Sequence, residues 1–167
     1  ISAALEVSEK TDGAFDITWA STGRLWDFSR EEFSPPDEKT VKSLLPLISY
    51  RNVILDEKGK SVRLLKNGTK IGLGGVAKGY AVKRAMAALK SRELRGAIVA
   101  CAGDIQAAGD NNGKPWKAAI QDPRGNSVIA VFEMNDGDSV STSGDYERFR
   151  IINGKRYHHI VNPATGY

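Results

Sequence analysis

Residues 72–90 read GLGGVAKGYAVKRAMAALK, and two architectures compete for them. Gly72, Gly74 and Ala77 match G-x-G-x-x-G/A, the spacing of the turn that opens a dinucleotide-binding βαβ crossover. That crossover needs an acid about 20 residues on, at the end of the next strand. Glu93 has the distance but precedes the strand; Asp104 has the position but lies 32 residues beyond Gly72. Gly79, not Ser or Thr, follows Lys78, so the run is not a P-loop either. What remains is a Gly-rich turn after the short strand at Lys70-Ile71, then a helix from Val76 to about Lys90. Ala77, Tyr80, Ala81, Ala85, Ala88 and Leu89 are expected on its packed face.

Outward from this helix, hairpins dominate. Val53-Ile54-Leu55 and Val62-Arg63-Leu64-Leu65 flank Lys58-Gly59, and residues 147–152 and 155–161 bracket Asn153-Gly154, a strong tight-turn dipeptide. Residues 97–101, 116–121 and 127–134 read as further strands, the first a short buried run with Cys101 as an inert core residue. A helix is expected over Ala3 to Lys10. A second is expected to enter at Ser34-Pro35-Pro36, with Asp37-Glu38 at its positive end and Pro46 interrupting it. Isolated helices beside antiparallel hairpins predict an α+β fold rather than a repeated βαβ sheet.

Composition narrows the class. The 167 residues are 41% hydrophobic and 26% charged, which disfavours disorder, collagen and coiled coil. No apolar run approaches the ~18 residues of a membrane span. One Cys makes no internal disulfide. The net charge is +4, yet residues 41–100 hold 13 bases against 3 acids. That stretch has only Tyr50 and Tyr80 as aromatics and no nucleic-acid motif. Lys83, Arg84, Lys90 and Arg92 fall on or just after one helix and read as a solvated face, leaving room for a smaller anion such as a phosphate.

The candidate sites are individually ambiguous. Glycines and free N–H groups at a helix start suit an anion, and Lys78 there opposes the helix dipole unless it faces a phosphate. A tight turn with a solvent-facing Lys fits the same residues. Gly13-Ala14-Phe15-Asp16 reads as a helix end, with Phe15 in the core and Asp16 capping the turn. Asp104 ends a strand, where a carboxylate meets a ligand hydroxyl or a metal, or is a plain loop acid. Residues 141–146 offer hydroxyls and a Gly, good phosphate chemistry and ordinary turn chemistry alike. His158 and His159 are the only histidines; in a strand they face opposite ways, so at most one serves a given site. A hydrolase of Ser143, His159 and an Asp lacks the G-x-S-x-G elbow. No Cys/His cluster suits zinc, and a metal here would be hard, Mg-like and oxygen-bound.

The order of the blocks is more telling than any one of them. Gly13-Ala14-Phe15-Asp16, Gly74-Gly75-Val76-Ala77-Lys78-Gly79-Tyr80-Ala81, Ala102-Gly103-Asp104-Ile105, Thr142-Ser143-Gly144-Asp145-Tyr146 and residues 158–166 (HHIVNPATG) together resemble the bacterial FAD:protein FMN transferases, the ApbE-like flavin transferases. The resemblance covers essentially the whole chain. It implies an ApbE-like, T-fold-like α+β fold and a Mg-dependent transfer of FMN from FAD to a Thr or Ser of an acceptor protein, releasing AMP. By motif, Ala14, Phe15 and Asp16 fall on the flavin-contacting block, Gly72 and Lys78 on dinucleotide contacts, and Val161 on an apolar FAD contact. Gly75 falls on the position whose backbone oxygen faces the metal, and His159 on the base that activates the acceptor hydroxyl. The family usually has Asp where this chain has Asn162, a turn position. The resemblance further implies that residues 1–167 are the central part of a flavin transferase domain, truncated at both ends, with the acidic and Thr metal ligands in a segment beyond Thr165-Gly166. It suggests an acceptor in a membrane redox complex, a periplasmic and often lipid-anchored location, and no nucleic acid. The alternatives are an FAD pyrophosphatase giving FMN and AMP, and a non-catalytic flavin-binding or electron-transfer accessory domain.

Overall fold

The computed structural model describes residues 1–167, in the order α1 (Ser2–Lys10), α2 (Ala20–Gly23), α3 (Glu38–Leu44), β1 (Val53–Asp56), β2 (Ser61–Leu64), α4 (Gly74–Lys90), β3 (Gly96–Cys101), β4 (Asp104–Gly109), β5 (Trp116–Gln121), β6 (Val128–Met134), β7 (Ser139–Ser141), β8 (Phe149–Ile152) and β9 (Lys155–His158). The chain forms two compact units, Ile1–Gly75 with Asp145–Tyr167, and Val76–Gly144. Every strand pairing is antiparallel, so the α+β expectation holds and no βαβ crossover exists. No helix is long and apolar enough to cross a membrane.

In the first unit α1 buries Ala4 and Ser8. Gly13, at φ +81°, turns the chain out of it and donates its N–H to Ser8 O. The second helix enters three residues later than expected: Asp37 caps α3 by accepting the Thr40 N–H, and Pro35 and Pro36 lie outside. The reason is steric, since Ser34 and Pro35 each precede a proline and are pushed toward extended backbone. β1 pairs with β2 from Val53↔Leu64 to Asp56↔Ser61, and β8 with β9 from Phe149↔His158 to Ile152↔Lys155. Trp26 is buried among the rings of Phe28, Phe33, Tyr157 and Tyr167 and donates its indole N–H to Gly166 O. This one residue ties residues 26–33 to the last residues of the chain.

In the second unit β3, β4 and β7 form a sheet in that order, and β5–β6 is a separate hairpin. Ala107, Ala118 and Met134 make the core, with Ile105, Trp116, Phe132 and Val140 against it. β3 is less buried than its apolar run suggests, with Ile98 and Ala100 exposed and Cys101 half-buried. α4 starts at Gly74, absorbing most of the Gly-rich run, and no strand forms at Lys70-Ile71. Of the face expected to pack, only Leu89 is even half-buried. Val82 and Met86 are inside, while Ala77, Ala81, Ala85 and Ala88 are exposed and Tyr80 is 56% exposed. Burial scales with apolar area, so the larger Val82 and Met86 set the orientation; the alanines serve the helix through propensity alone.

Candidate functional site

Asp16 builds the first part of the site. It is 4% exposed; its Oδ1 accepts from the N–H and hydroxyl of Thr18, and its Oδ2 from the Tyr50 N–H at 2.6 Å. Three donors from its own chain occupy this carboxylate, so Asp16 acts by holding its neighbours: Ala14 is left exposed and Phe15 half-buried beside it. The capping role expected from sequence is what the structure shows. The Asp16-x-Thr18 spacing signals this turn, whereas the Tyr50 N–H comes from 34 residues away and had no local signal.

The Gly-rich run meets this block. Gly72 donates its N–H to Ile17 O at 2.8 Å, and a β-carbon on Gly72 would stand 3.0 Å from Ala20 Cβ. A β-carbon on Gly75 would stand 2.8 Å from Phe15 Cε2, so the ring edge lies directly on the glycine. Gly74 faces open space. Two blocks some 60 residues apart in the chain thus form one surface in the first unit.

His159 lies one residue past β9 in the same unit. Its N–H donates to Arg148 O, and its Nδ1 sits 3.4 Å from the same carbonyl. A carbonyl only accepts, so this contact suits the tautomer that carries its proton on Nδ1 and leaves Nε2 open. No hydrogen bond joins His159 to Ala14, Phe15 or Asp16. His158 has a buried Nδ1 with no partner. Val161 is half-buried and precedes a turn built by Asn162, whose Oδ1 accepts the Ala164 N–H and whose carbonyl accepts from Thr165 and Gly166. Asn and Asp fill that turn equally well.

Lys78 belongs to the second unit. Its Nζ donates to Ala102 O at 2.8 Å, in the turn between β3 and β4, which leaves two of its three donors for a ligand. Asp104, just after that turn, is buried and accepts from Ser141 Oγ. As for the metal, the chain has no group of three or more His, Cys, Asp or Glu residues placed to share an ion. The Gly75 carbonyl is in the first turn of α4, where helix geometry already pairs it with the N–H four residues on. The residues present do not build a magnesium site by themselves.

Comparison with known proteins agrees with the order of the blocks. The ApbE family model matches residues 1–167. The FAD:protein FMN transferase of Klebsiella pneumoniae is 32% identical over 168 residues, covering 100% of this chain and 52% of the relative. That of Treponema pallidum is 33% identical, covering 98% of this chain and 49% of the relative. The crystal structure of the ApbE protein from Thermotoga maritima superposes with a TM-score of 0.89 at 41% identity, over 99% of this chain and 54% of that one. The apo flavinyl transferase ApbE of Pseudomonas stutzeri superposes at 0.82 with 29% identity, over 99% of this chain and 51% of that one. The chain spans about half the length of these relatives. Matched from its first residue to its last by the family model and over 99% of its length by two structures of that fold, the chain belongs to the ApbE family.

Proposed function

We propose that this chain carries the flavin-binding and base-supplying part of an FAD:protein FMN transferase, which moves FMN from FAD to a Thr or Ser hydroxyl of an acceptor protein and releases AMP. The supporting observation is the meeting of the Ala14–Asp16 block with Gly72–Gly75, Phe15 edge against Gly75, in a chain whose whole length matches the family. In the proposed step the acceptor oxygen bonds to the FMN-side phosphorus, the P–O bond to AMP breaks, and the hydroxyl proton passes to His159 Nε2. A free Nε2 suits that role because imidazole is the side chain nearest neutrality in its proton affinity. Lys78 meets the pyrophosphate charge with the donors Ala102 leaves free. Val161 adds an apolar flavin contact, and Asp16 acts indirectly, through Phe15.

Magnesium is part of the proposal through the family resemblance. By the resemblance alone, Gly75 is the position in this chain that would face the ion, and no step is routed through it. The resemblance also supports reading residues 1–167 as the central part of the transferase domain, and its acceptor as a subunit of a membrane redox complex reached from the periplasm. The test is incubation with FAD, Mg²⁺ and an acceptor bearing a Thr-containing flavinylation motif. Acceptor fluorescence that survives denaturation establishes transfer. Free FMN with AMP establishes a pyrophosphatase instead, and tightly bound FAD without turnover establishes a flavin-binding domain; either sinks the transferase reading.

A further inference from the structure

We propose that Asp104 is a ligand-contacting residue which, together with Lys78, reads the junction between a phosphate and a hydroxyl-bearing sugar chain. The inference rests on the flavin-dinucleotide reading above and adds to it a residue and a chemical contact.

Asp104 is the first residue of β4 and is only 8% exposed. Its Oδ1 accepts from Ser141 Oγ at 2.7 Å, its direct partner across β4–β7. No Lys, Arg or His pairs with it, and no other protein donor reaches it, so Oδ2 is left without a protein partner. Although the residue is buried, Oδ2 is not among the side-chain atoms both sealed from solvent and unpartnered, so this oxygen stays within reach of a ligand. Oδ2 looks onto the second turn of α4: a β-carbon at Gly79 would stand 3.4 Å from it. The preceding residue is Lys78, whose Nζ binds Ala102 O in the two-residue turn that leads into Asp104. The start of α4 therefore meets the β3–β4 turn with a group that only donates and a group that only accepts, fixed close together in one unit.

Those two groups select their ligand by polarity. An ammonium attracts phosphate oxygens; a carboxylate repels them and takes hydroxyl or amino donors. A ligand that satisfies both has a phosphate with hydroxyls on the adjoining carbons. Both halves of a flavin dinucleotide offer this, the ribityl phosphate of FMN and the ribose phosphate of AMP.

The test uses the 167-residue chain, its melting temperature, and calorimetric titration with FAD, FMN and AMP separately. Asp104→Asn keeps an acceptor for Ser141 and turns the Oδ2 position into a donor. We expect about a tenfold loss of FAD affinity without a change in melting temperature. Gly79→Ala should raise the melting temperature through helix propensity while its methyl covers Oδ2, again weakening FAD. Because both changes act on one oxygen, their effects in the double variant should not add. The same loss in the FMN arm places the ribityl phosphate here; the same loss in the AMP arm places the ribose phosphate. Parent-like binding by both variants, or a loss in Asp104→Asn that only follows a fall in melting temperature while Gly79→Ala binds normally, overturns the proposal. A parent chain that binds none of the three nucleotides removes the flavin reading itself, which is a different result from a parent that binds and variants that match it.

Discussion

Asp16 and His159 show how differently two residues of one signature serve it. The Asp16 carboxylate has three donors of its own chain to satisfy, and two of them, the Thr18 and Tyr50 N–H groups, cannot turn elsewhere. Asp16→Ala strands both in a buried site and should cost about 2–4 kcal/mol of stability in a denaturant titration. Asp16→Asn is expected to be nearly as harmful, because an amide that keeps Thr18 satisfied presents its NH2 to the Tyr50 N–H. The His159 ring carries a lighter load, its one hydrogen-bond contact being with Arg148 O at 3.4 Å. His159→Gln should leave the melting temperature and FAD affinity near the parent's and lower transfer by roughly 10²–10⁴-fold, the contribution of a positioned base. Equal transfer rates for parent and variant would remove His159 from the mechanism.

At the level of elements, α4 is where sequence and structure part most usefully. Its existence and end were legible from the alanine-rich run and the Lys90 position, but its inward face was not. Counting apolar positions gives Ala77, Ala81, Ala85 and Ala88 the same weight as Val82 and Met86, whereas burial weighs area. The strands whose turns hold Asn-Gly or Lys-Gly were legible for the opposite reason, since turn chemistry is local. β7 carried no such mark and is defined by its pairing with β4, Asp104↔Ser141 to Gln106↔Ser139. The site divides along the same line: the blocks were readable, while the contacts of Phe15 with Gly75 and of Asp104 with Gly79 needed the fold. Gly75→Ala gains about 1 kcal/mol of helix propensity but forces the Phe15 ring aside. Stability should barely change while flavin affinity falls, separable by melting and titration of the same sample. Two turns of the second unit also carry a pH signature. The Gly109 N–H and Lys90 hold the Asp136 carboxyl below its ordinary 3.8, and the Gly113 N–H, with Arg95, does the same for Asp110. Because the folded value is the lower one, these bonds stabilise fully above the ordinary value and are lost as pH falls through the depressed one. Amide protection at Gly109, corrected for intrinsic exchange, should drop on acidification below about pH 4, and Asp136→Asn should abolish that step.

For the molecule as a whole, the exposed apolar surface includes one two-stranded hairpin of the second unit that is apolar on both sides. The inner side of the β5–β6 hairpin closes on Ala118, Phe132 and Met134, yet its outer side shows Ile129 at 60% and Val131 at 61% exposure, with Ala119 opposite Val131 also exposed. Alternation from Phe132 and Met134 turns Val131 outward, and Ile129 is the extra residue of a bulge, where the register steps from Ile120↔Ala130 to Gln121↔Val128. Scattered single apolar residues mean little on a surface, but adjacent β-branched residues on a two-stranded hairpin form a patch that also borders unpaired strand edges. Such a face is expected to promote association of this chain with itself. Replacing Ile129 and Val131 together with Lys should therefore reduce concentration-dependent light scattering and leave the melting temperature almost unchanged, since neither side chain contributes to the core. If scattering is the same in parent and variant, the hairpin's outer face is not what associates. If the melting temperature falls by several degrees, those residues are buried in solution by a contact within the chain.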